Sequence, residues 1–220
     1  RTTFDCKARI IVDDERIATI PGARFQKLYN SHATTGPVTL DSLRDTLDAP
    51  VFAAFLRTDP SLTLDQRGLL LWTTDCCYRE INRAIIHDSA NLKKWMPLVR
   101  LMMAGIESRP VPSELVTFRG SKMSEEQAGA YVEGKTTALA MFTATSTERH
   151  VAEGFQEGLI VSLKIPAGCP YASLLQQSAF PNEAEVLVAP YTMVRCVKKT
   201  EAEISLEVLP ASLLASVAVA

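Results

Sequence analysis

Two acidic side chains, Glu183 and Glu185, stand two residues apart at the start of an apolar run. If this run forms a β-strand, its period of two places both carboxylates on one face. Because burial of an unpaired charge is costly, an acid that leads into a buried strand is expected to be paired or functional. Phe180 precedes the pair in a turn-like stretch, where we expect it to be exposed. The segment is therefore a candidate for carboxylate chemistry.

An arginine next to a glycine ends a second β-like run. Arg119 is the last residue of the strand predicted over residues 116–119, and Gly120 follows it. The planar guanidinium matches phosphate oxygens two at a time and keeps its charge, and the glycine allows close approach of a ligand or backbone. This pattern favours a diphosphate ligand, although a lone arginine at a strand end is more often solvated or paired structurally.

A cluster of hydroxyl side chains lies where a strand is predicted to pass into a helix. Thr143, Thr145, Ser146 and Thr147 fall within a six-residue stretch, 142–147. Such hydroxyls cap helices and orient neighbouring carboxylates. Taken alone, capping and β propensity explain them.

These three features, in this order, resemble the arginine-serine-glutamate set of the cholera-toxin-like mono-ADP-ribosyltransferases, especially their arginine-specific branch. Residues 118–120 resemble the aromatic-Arg-Gly motif of that family, 142–146 its Phe-x-Ser-Thr-Ser strand, and 183–185 its Glu-x-Glu motif. The stretch from Tyr78 to Asn82 resembles a helix of the eukaryotic and effector-like members. The resemblance covers the chain from about residue 60 onward.

The resemblance implies transfer of ADP-ribose from NAD to protein arginine side chains, with release of nicotinamide and no metal. Glu185 would hold the ribose and stabilise its developing positive charge, and Glu183 would orient the acceptor guanidinium. Arg119 would anchor the phosphates, and Phe180 would contact the acceptor. The other residues that the resemblance assigns to the NAD cleft are Gly120, Thr143, Ala144, Thr145, Ser146, Tyr78 and Asn82.

One position departs from the family motif. Ala144 stands where the family has its first serine, which normally hydrogen-bonds the catalytic glutamate. Thr143 or Ser146 could substitute after a small register shift, and Ser146 is therefore included among the catalytic candidates. If neither hydroxyl substitutes, the alternatives are a transferase of reduced activity and an inactive relative that only binds NAD. A further alternative is an NAD glycohydrolase, in which water replaces arginine as the acceptor. Tyr78 and Asn82 either brace the cleft or pack within their helix.

The first 110 residues have a helical pattern. Pro50 fits the first turn of a helix, and the spacing of Thr63 and Gln66 is typical of a capping box. Apolar residues then recur near helical period, which predicts one long helix to about His87. A further helix is predicted from Asn91 to about residue 104, with a kink or a late start because of Pro97.

The second half has a β pattern. Helices are predicted to start at Ser124 and at Thr147, the latter with Val151 and Phe155 on one face. Helices followed by strands indicate an α+β fold with a mainly antiparallel sheet. The resemblance specifies a split β-sandwich that holds the NAD cleft, in one domain of residues 1–220 with a helical part (1–110) and a β-rich core (111–220). The strands are predicted at 116–119, 139–144, 159–165, 185–188, 193–198 and 203–209.

Composition excludes some classes of function. With 23 basic and 25 acidic residues the net charge is −2, so the sequence has no electrostatic footprint for nucleic acid. No apolar run reaches the roughly 20 residues that a membrane span needs. The sequence contains no C-x-x-C pair of the kind that binds zinc. The sequence does not decide whether Cys6 and Cys196 form a disulfide. It also does not decide whether the protein is secreted or delivered as an effector, or is cytoplasmic. Since the chain begins with Arg1, we expect it to be a segment of something longer.

Overall fold

The computed structural model describes residues 23–30, 36–74, 76–155 and 158–209. The predicted helix start at Pro50 is confirmed, and Val51 and Phe55 of that helix are buried. The predicted capping box is also present, with the Thr63 backbone N–H donating to Gln66 Oε1 at 2.9 Å. The helices of the first half are α1 (Ala23–Asn30), α2 (Leu40–Thr46), α3 (Ala49–Leu56), α4 (Leu64–Trp72), α5 (Tyr78–Ile86) and α6 (Leu92–Glu107).

The prediction of one long helix from Thr63 to His87 is wrong, because α4 ends at Trp72 and α5 begins at Tyr78. The hydroxyls of Thr73 and Thr74 donate to the carbonyls of residues 70 and 71, at 2.8 and 2.7 Å. Such local hydrogen bonds compete with continuation of the helix. The break places Thr73 at the edge of the candidate site described below.

The helix predicted from Asn91 is confirmed, since α6 starts at Leu92 with Asn91 as its N-cap; of the two alternatives raised for Pro97, the late start is wrong. Proline lacks an N–H and removes one helical hydrogen bond. Burial of the apolar face offsets this loss, since Trp95 and Met102 are almost fully buried. Helix α6 is the centre of an apolar cluster that also includes side chains from α2, α3, α4 and α5.

The second half contains the strands β1 (Leu115–Ser121), β2 (Thr136–Leu139), β3 (Thr143–Ser146), β4 (Leu159–Ile165), β5 (Ala172–Leu174), β6 (Glu185–Val188), β7 (Thr192–Lys199) and β8 (Glu203–Val208). They form one mainly antiparallel sheet in the order β2-β7-β8-β4-β1-β3-β6-β5. Among these described strands, only β4 and β8 pair in parallel. A single residue pair, Phe118 with Ser146, joins β1 to β3 and divides the sheet into two halves.

The two halves of the sheet share an apolar core. Val186 and Val188 of β6 lie in one cluster with Val161 and Leu163 of β4, while Leu187 of β6 packs against the helices. Strand β6 is therefore buried on both faces, between the helical layer and the other half of the sheet. This arrangement confirms the predicted α+β fold.

Several boundaries differ from the prediction. Residues 139–144 do not form one strand, because β2 ends at Leu139 and β3 begins at Thr143. Strand β5 was not predicted, since three residues carry too little periodicity. The predicted capping box at Ser124 is confirmed and opens α7 (Glu125–Gly129).

The second predicted helix is α8 (Arg149–Gly154). Its N-cap is Glu148, so the start predicted at Thr147 is displaced. Phe155 is the C-cap residue of this helix and is 57% exposed. None of the helices described is long and apolar enough to cross a membrane. Cys6 and the tail after residue 209 lie outside the described residues, and Cys196 carries a free thiol.

Candidate active site

Arg119 lies in the middle of the sheet, where β1 meets both of its neighbours. Its backbone pairs with Val161 of β4, and its Nη1 donates to the Ala144 carbonyl of β3 at 2.8 Å. The guanidinium therefore reaches across the single-pair junction between the two halves. Gly120, the next residue of β1, pairs with Ile160 of β4.

Glu185 is the first residue of β6 and lies opposite Ser146 of β3. It is only 7% exposed. Its Oε2 accepts a hydrogen bond from Ser178 Oγ at 3.4 Å, and Trp72 also donates to its carboxylate. Burial, followed by the charge of Glu183, raises the pKa of Glu185 to about 7, although these donors and Arg119 act in the opposite direction. A carboxyl group with this pKa changes its charge near neutrality.

Glu183 does not share the strand with Glu185, so the prediction that period two places both carboxylates on one face is wrong. Glu183 ends a short 3-10 helix, Pro181–Glu183. Ala184 follows in the left-handed region, with φ 43° and ψ 50°, and breaks the alternation. The two acids remain close enough for Glu183 to raise the pKa of Glu185, and burial raises the pKa of Glu183 itself.

The hydroxyls of β3 hold the backbone around Glu185. Thr145 Oγ1 donates to the Val186 carbonyl at 2.9 Å, and Ser146 Oγ donates to the Glu183 carbonyl at 2.7 Å. Thr143 Oγ1 donates to the carbonyl of Met141 at 3.1 Å, within its own segment. These contacts fix the position of β6 and of the 3-10 helix.

The segment before Glu185 is tied to the end of α4. The Ala179 N–H donates to Thr73 Oγ1 at 2.8 Å, and the Phe180 N–H donates to Ser178 Oγ at 3.0 Å. Phe180 is 49% exposed, as the sequence predicted. The sequence pattern indicated a core position for Trp72 and no role in the site for Ser178, Thr73 or Trp72. The serine two positions before Phe180 was a usable signal of a local turn, whereas nothing near Thr73 in the sequence indicates a contact with Ala179.

Asn82 and Tyr78 connect α5 to this region. Asn82 is buried, and its Nδ2 donates to the carbonyl of Phe142 at 3.0 Å, just before β3. The Tyr78 ring packs edge-on against Trp72 with centroids 5.8 Å apart, and Trp72 also contacts Phe142. Asn82 therefore positions the start of β3, and its role is not limited to packing within its own helix. Among the residues described, no three His, Cys, Asp or Glu side chains come together as a metal site.

A family model of the NAD:arginine ADP-ribosyltransferases matches residues 67–212. The chain belongs to this family. The match spans α5, α6 and the entire sheet, and therefore includes Arg119, Ser178, Glu183 and Glu185. This transferase accordingly uses NAD as its substrate. No curated protein sequence matches the chain at a significant level.

Solved structures share the fold of the transferase. Exoenzyme S from Pseudomonas aeruginosa, bound to human 14-3-3 protein beta and carba-NAD, superposes with a TM-score of 0.62 at 19% identity, covering 81% of this chain and 94% of that one. The Clostridium limosum C3 exoenzyme has a TM-score of 0.57 at 15% identity, over 79% and 96% of the chains. A mutant of the eucaryotic mono-ADP-ribosyltransferase ART2.2 in complex with NADH gives 0.56 at 17% identity, over 84% and 81%.

Ala144 of this transferase lies on the same sheet face as Glu185. Ala144 pairs with Leu187, and directly opposed residues of antiparallel strands share a face. Thr143 and Thr145 alternate with Ala144 and point to the other face, so Thr143 does not replace the missing serine. Ser146 is on the correct face, but its Oγ donates to the Glu183 carbonyl. The hydroxyls of both substitutes that the sequence suggested donate to backbone carbonyls and not to the Glu185 carboxylate.

Proposed function

We propose that this transferase is a mono-ADP-ribosyltransferase that moves ADP-ribose from NAD to arginine side chains of proteins and releases nicotinamide. The observation that carries the proposal is the buried carboxylate of Glu185, with Glu183 close by and the guanidinium of Arg119 near it. Incubation of the purified chain with labelled NAD, agmatine and a cell lysate tests it. Labelled agmatine and labelled protein are expected, and neither should form without the chain.

Glu185 serves the cleavage step. The bond between nicotinamide and ribose breaks with its electron pair leaving on nicotinamide, which develops positive charge on the sugar, as in glycoside hydrolysis. A carboxylate beside that sugar stabilises the charge, and the effect is largest where water is excluded. Glu185 meets this condition, since it is buried and its carboxylate is held by Ser178 and Trp72.

Glu183 serves the acceptor. An arginine guanidinium has a pKa above about 12 and becomes nucleophilic only when its proton is taken as the new bond forms. Glu183 is more exposed than Glu185, and burial raises its pKa, which makes its carboxylate a better base. Phe180, half exposed on the same segment, offers its ring to the incoming guanidinium through a cation-π contact.

Arg119→Lys is expected to weaken NAD binding about tenfold or more, because an ammonium cannot reproduce the planar fork that pairs with a diphosphate. Calorimetric titration with NAD measures the effect. Arg195→Lys is the matched control, since Arg195 pairs with Glu207 on the surface of β7 and β8. Equal affinities for NAD in the wild type and Arg119→Lys would refute the phosphate-binding role.

The pH profile of NAD hydrolysis follows from the raised pKa of Glu185. The carboxylate form stabilises positive charge and the protonated form does not, so kcat/KM is expected to fall as the pH drops through about 7. Because the charge of Glu183 raises this pKa, Glu183→Gln is expected to move the acid limb to lower pH. Measurement of kcat/KM across the neutral range tests both statements. A profile that is flat through pH 7 would contradict them.

Ala144 supports a second candidate, a catalytically weak relative that binds NAD, because the motif hydroxyl is absent. Calorimetry that shows NAD binding without turnover would establish it. An NAD glycohydrolase, in which water replaces arginine, is separated from a transferase by nicotinamide release measured with and without agmatine, since agmatine stimulates release only in a transferase.

We further propose that residues 1–220 act as one domain. The relatives include a toxin from Paenibacillus larvae and a type III effector from Xanthomonas axonopodis pv. citri, which favours a delivered effector.

A further inference from the structure

Strand β3 provides no hydroxyl to the Glu185 carboxylate. Ala144 shares the face of Glu185 but ends in a methyl group. The hydroxyl protons of Thr145 and Ser146 go to the carbonyls of Val186 and Glu183. A buried carboxylate has only acceptor oxygens and needs donors to remain oriented and charged. The donor must therefore come from another element.

Ser178 is the hydroxyl donor, and Trp72 of α4 also donates to the Glu185 carboxylate. The Ser178 Oγ lies 3.4 Å from Glu185 Oε2 and 3.0 Å from the Phe180 nitrogen. Since the N–H can only donate, the serine oxygen accepts from Phe180, and its single proton is left for the carboxylate. The same hydroxyl thus connects Glu185 with the backbone of Phe180.

The segment that carries Ser178 is held at both ends. The Leu175 N–H donates to the Glu185 carbonyl at 2.9 Å, and the Ala179 N–H donates to Thr73 Oγ1 at 2.8 Å. Ser178 lies between these anchors, so its hydroxyl is fixed relative both to β6 and to the end of α4. A hydroxyl held in this way restricts the rotation of the Glu185 side chain.

We propose that Ser178 is a positioning residue that orients the Glu185 carboxylate toward NAD, in place of the hydroxyl that β3 lacks at Ala144. The inference deepens the function proposed for Glu185 and rests on it. Ser178 acts through Glu185, so its loss affects the cleavage step more than the affinity for NAD. The hydrogen bond also favours the charged form of the carboxylate.

Ser178→Ala is expected to lower kcat for NAD hydrolysis about tenfold while KM for NAD changes less than about twofold. The acid limb of kcat/KM is expected to move to higher pH, because removal of the donor raises the pKa of Glu185 further. Ser178→Thr keeps a hydroxyl and should restore both. Ser162→Ala removes a hydroxyl from β4 that faces Ser205, and it should leave both unchanged.

The double variant Ala144→Ser/Ser178→Ala tests the replacement itself. A serine at position 144 extends its hydroxyl from the face that carries Glu185, so it should recover most of the lost kcat. Ala144→Ser alone should have little effect, since Ser178 already provides the donor. A double variant that is no more active than Ser178→Ala would show that the two positions do not substitute for each other.

Titration of the Glu185 carboxyl by NMR in the NAD-free protein separates this inference from the proposed function. A higher pKa in Ser178→Ala, reversed in Ser178→Thr, supports the contact without reference to activity. An unchanged pKa, or a loss of kcat that threonine does not restore, would overturn the inference. If the wild type fails to release nicotinamide, the proposed function fails instead, and the titration still reports on Ser178.

Discussion

Glu185→Gln is expected to abolish both NAD hydrolysis and transfer to agmatine, with kcat reduced by at least about 10²- to 10³-fold. Glutamine has nearly the same shape but no charge, so it cannot stabilise the positive sugar formed when nicotinamide leaves. Nicotinamide release measured with and without agmatine tests both reactions together. Glu207→Gln, which neutralises a surface acid of β8, is the matched control and should retain full activity.

The same substitution is expected to stabilise the folded protein above neutral pH. The pKa of Glu185 is near its ordinary value of 4.5 in the unfolded chain and about 7 in the folded protein. The folded state therefore favours the protonated acid, and stability that is present below pH 4.5 is lost as the pH rises through 7. The raised pKa corresponds to about 3 kcal/mol at pH 8, an amount that the neutral glutamine should largely recover.

Thermal unfolding at pH 8 measures this effect. An inactive Glu185→Gln variant that melts several degrees higher than the wild type shows that activity was lost by removing a charge and not by unfolding. A variant that melts at a lower temperature than the wild type at pH 8 would contradict a buried Glu185 carboxyl group with a raised pKa.

Glu183→Gln is expected to lower transfer to agmatine by about 10²-fold or more while NAD hydrolysis continues. The acceptor arginine needs a base to take its proton, whereas water in the hydrolysis reaction does not depend on the same side chain. The ratio of agmatine product to nicotinamide released is the direct measure. Glu201→Gln, an exposed acid in the turn between β7 and β8, provides the control. A normal ratio in Glu183→Gln would refute the acceptor role.

The elements that depend on local pattern could be predicted from the sequence. The bounds of β4 and β6 agree with the prediction because both are apolar runs of ordinary strand length. The capping boxes at Thr63 and Ser124 were equally readable, since both partners lie within one helical turn. The break between α4 and α5 was missed, because apolar residues continue at helical spacing across it and two threonine side chains end the helix.

The candidate site could be predicted only in part. Arg119 and Glu185 were found because their motifs, in their order along the chain, resemble those of the family, whereas each feature alone is a weak signal. The different positions of Glu183 and Glu185 could not be read from their spacing, because they depend on the left-handed backbone of Ala184. The role of Thr73 depends on its contact with Ala179, more than a hundred positions away, which no local pattern encodes.

The most direct test of the central claim is a crystal structure of the chain with carba-NAD. We expect a Glu185 carboxylate oxygen at about 3 Å from a hydroxyl of the nicotinamide ribose. The diphosphate is expected to contact Arg119, and the Ser178 hydroxyl is expected to remain hydrogen-bonded to Glu185. A nicotinamide ribose bound away from Glu185, with that carboxylate contacting only protein, would contradict it.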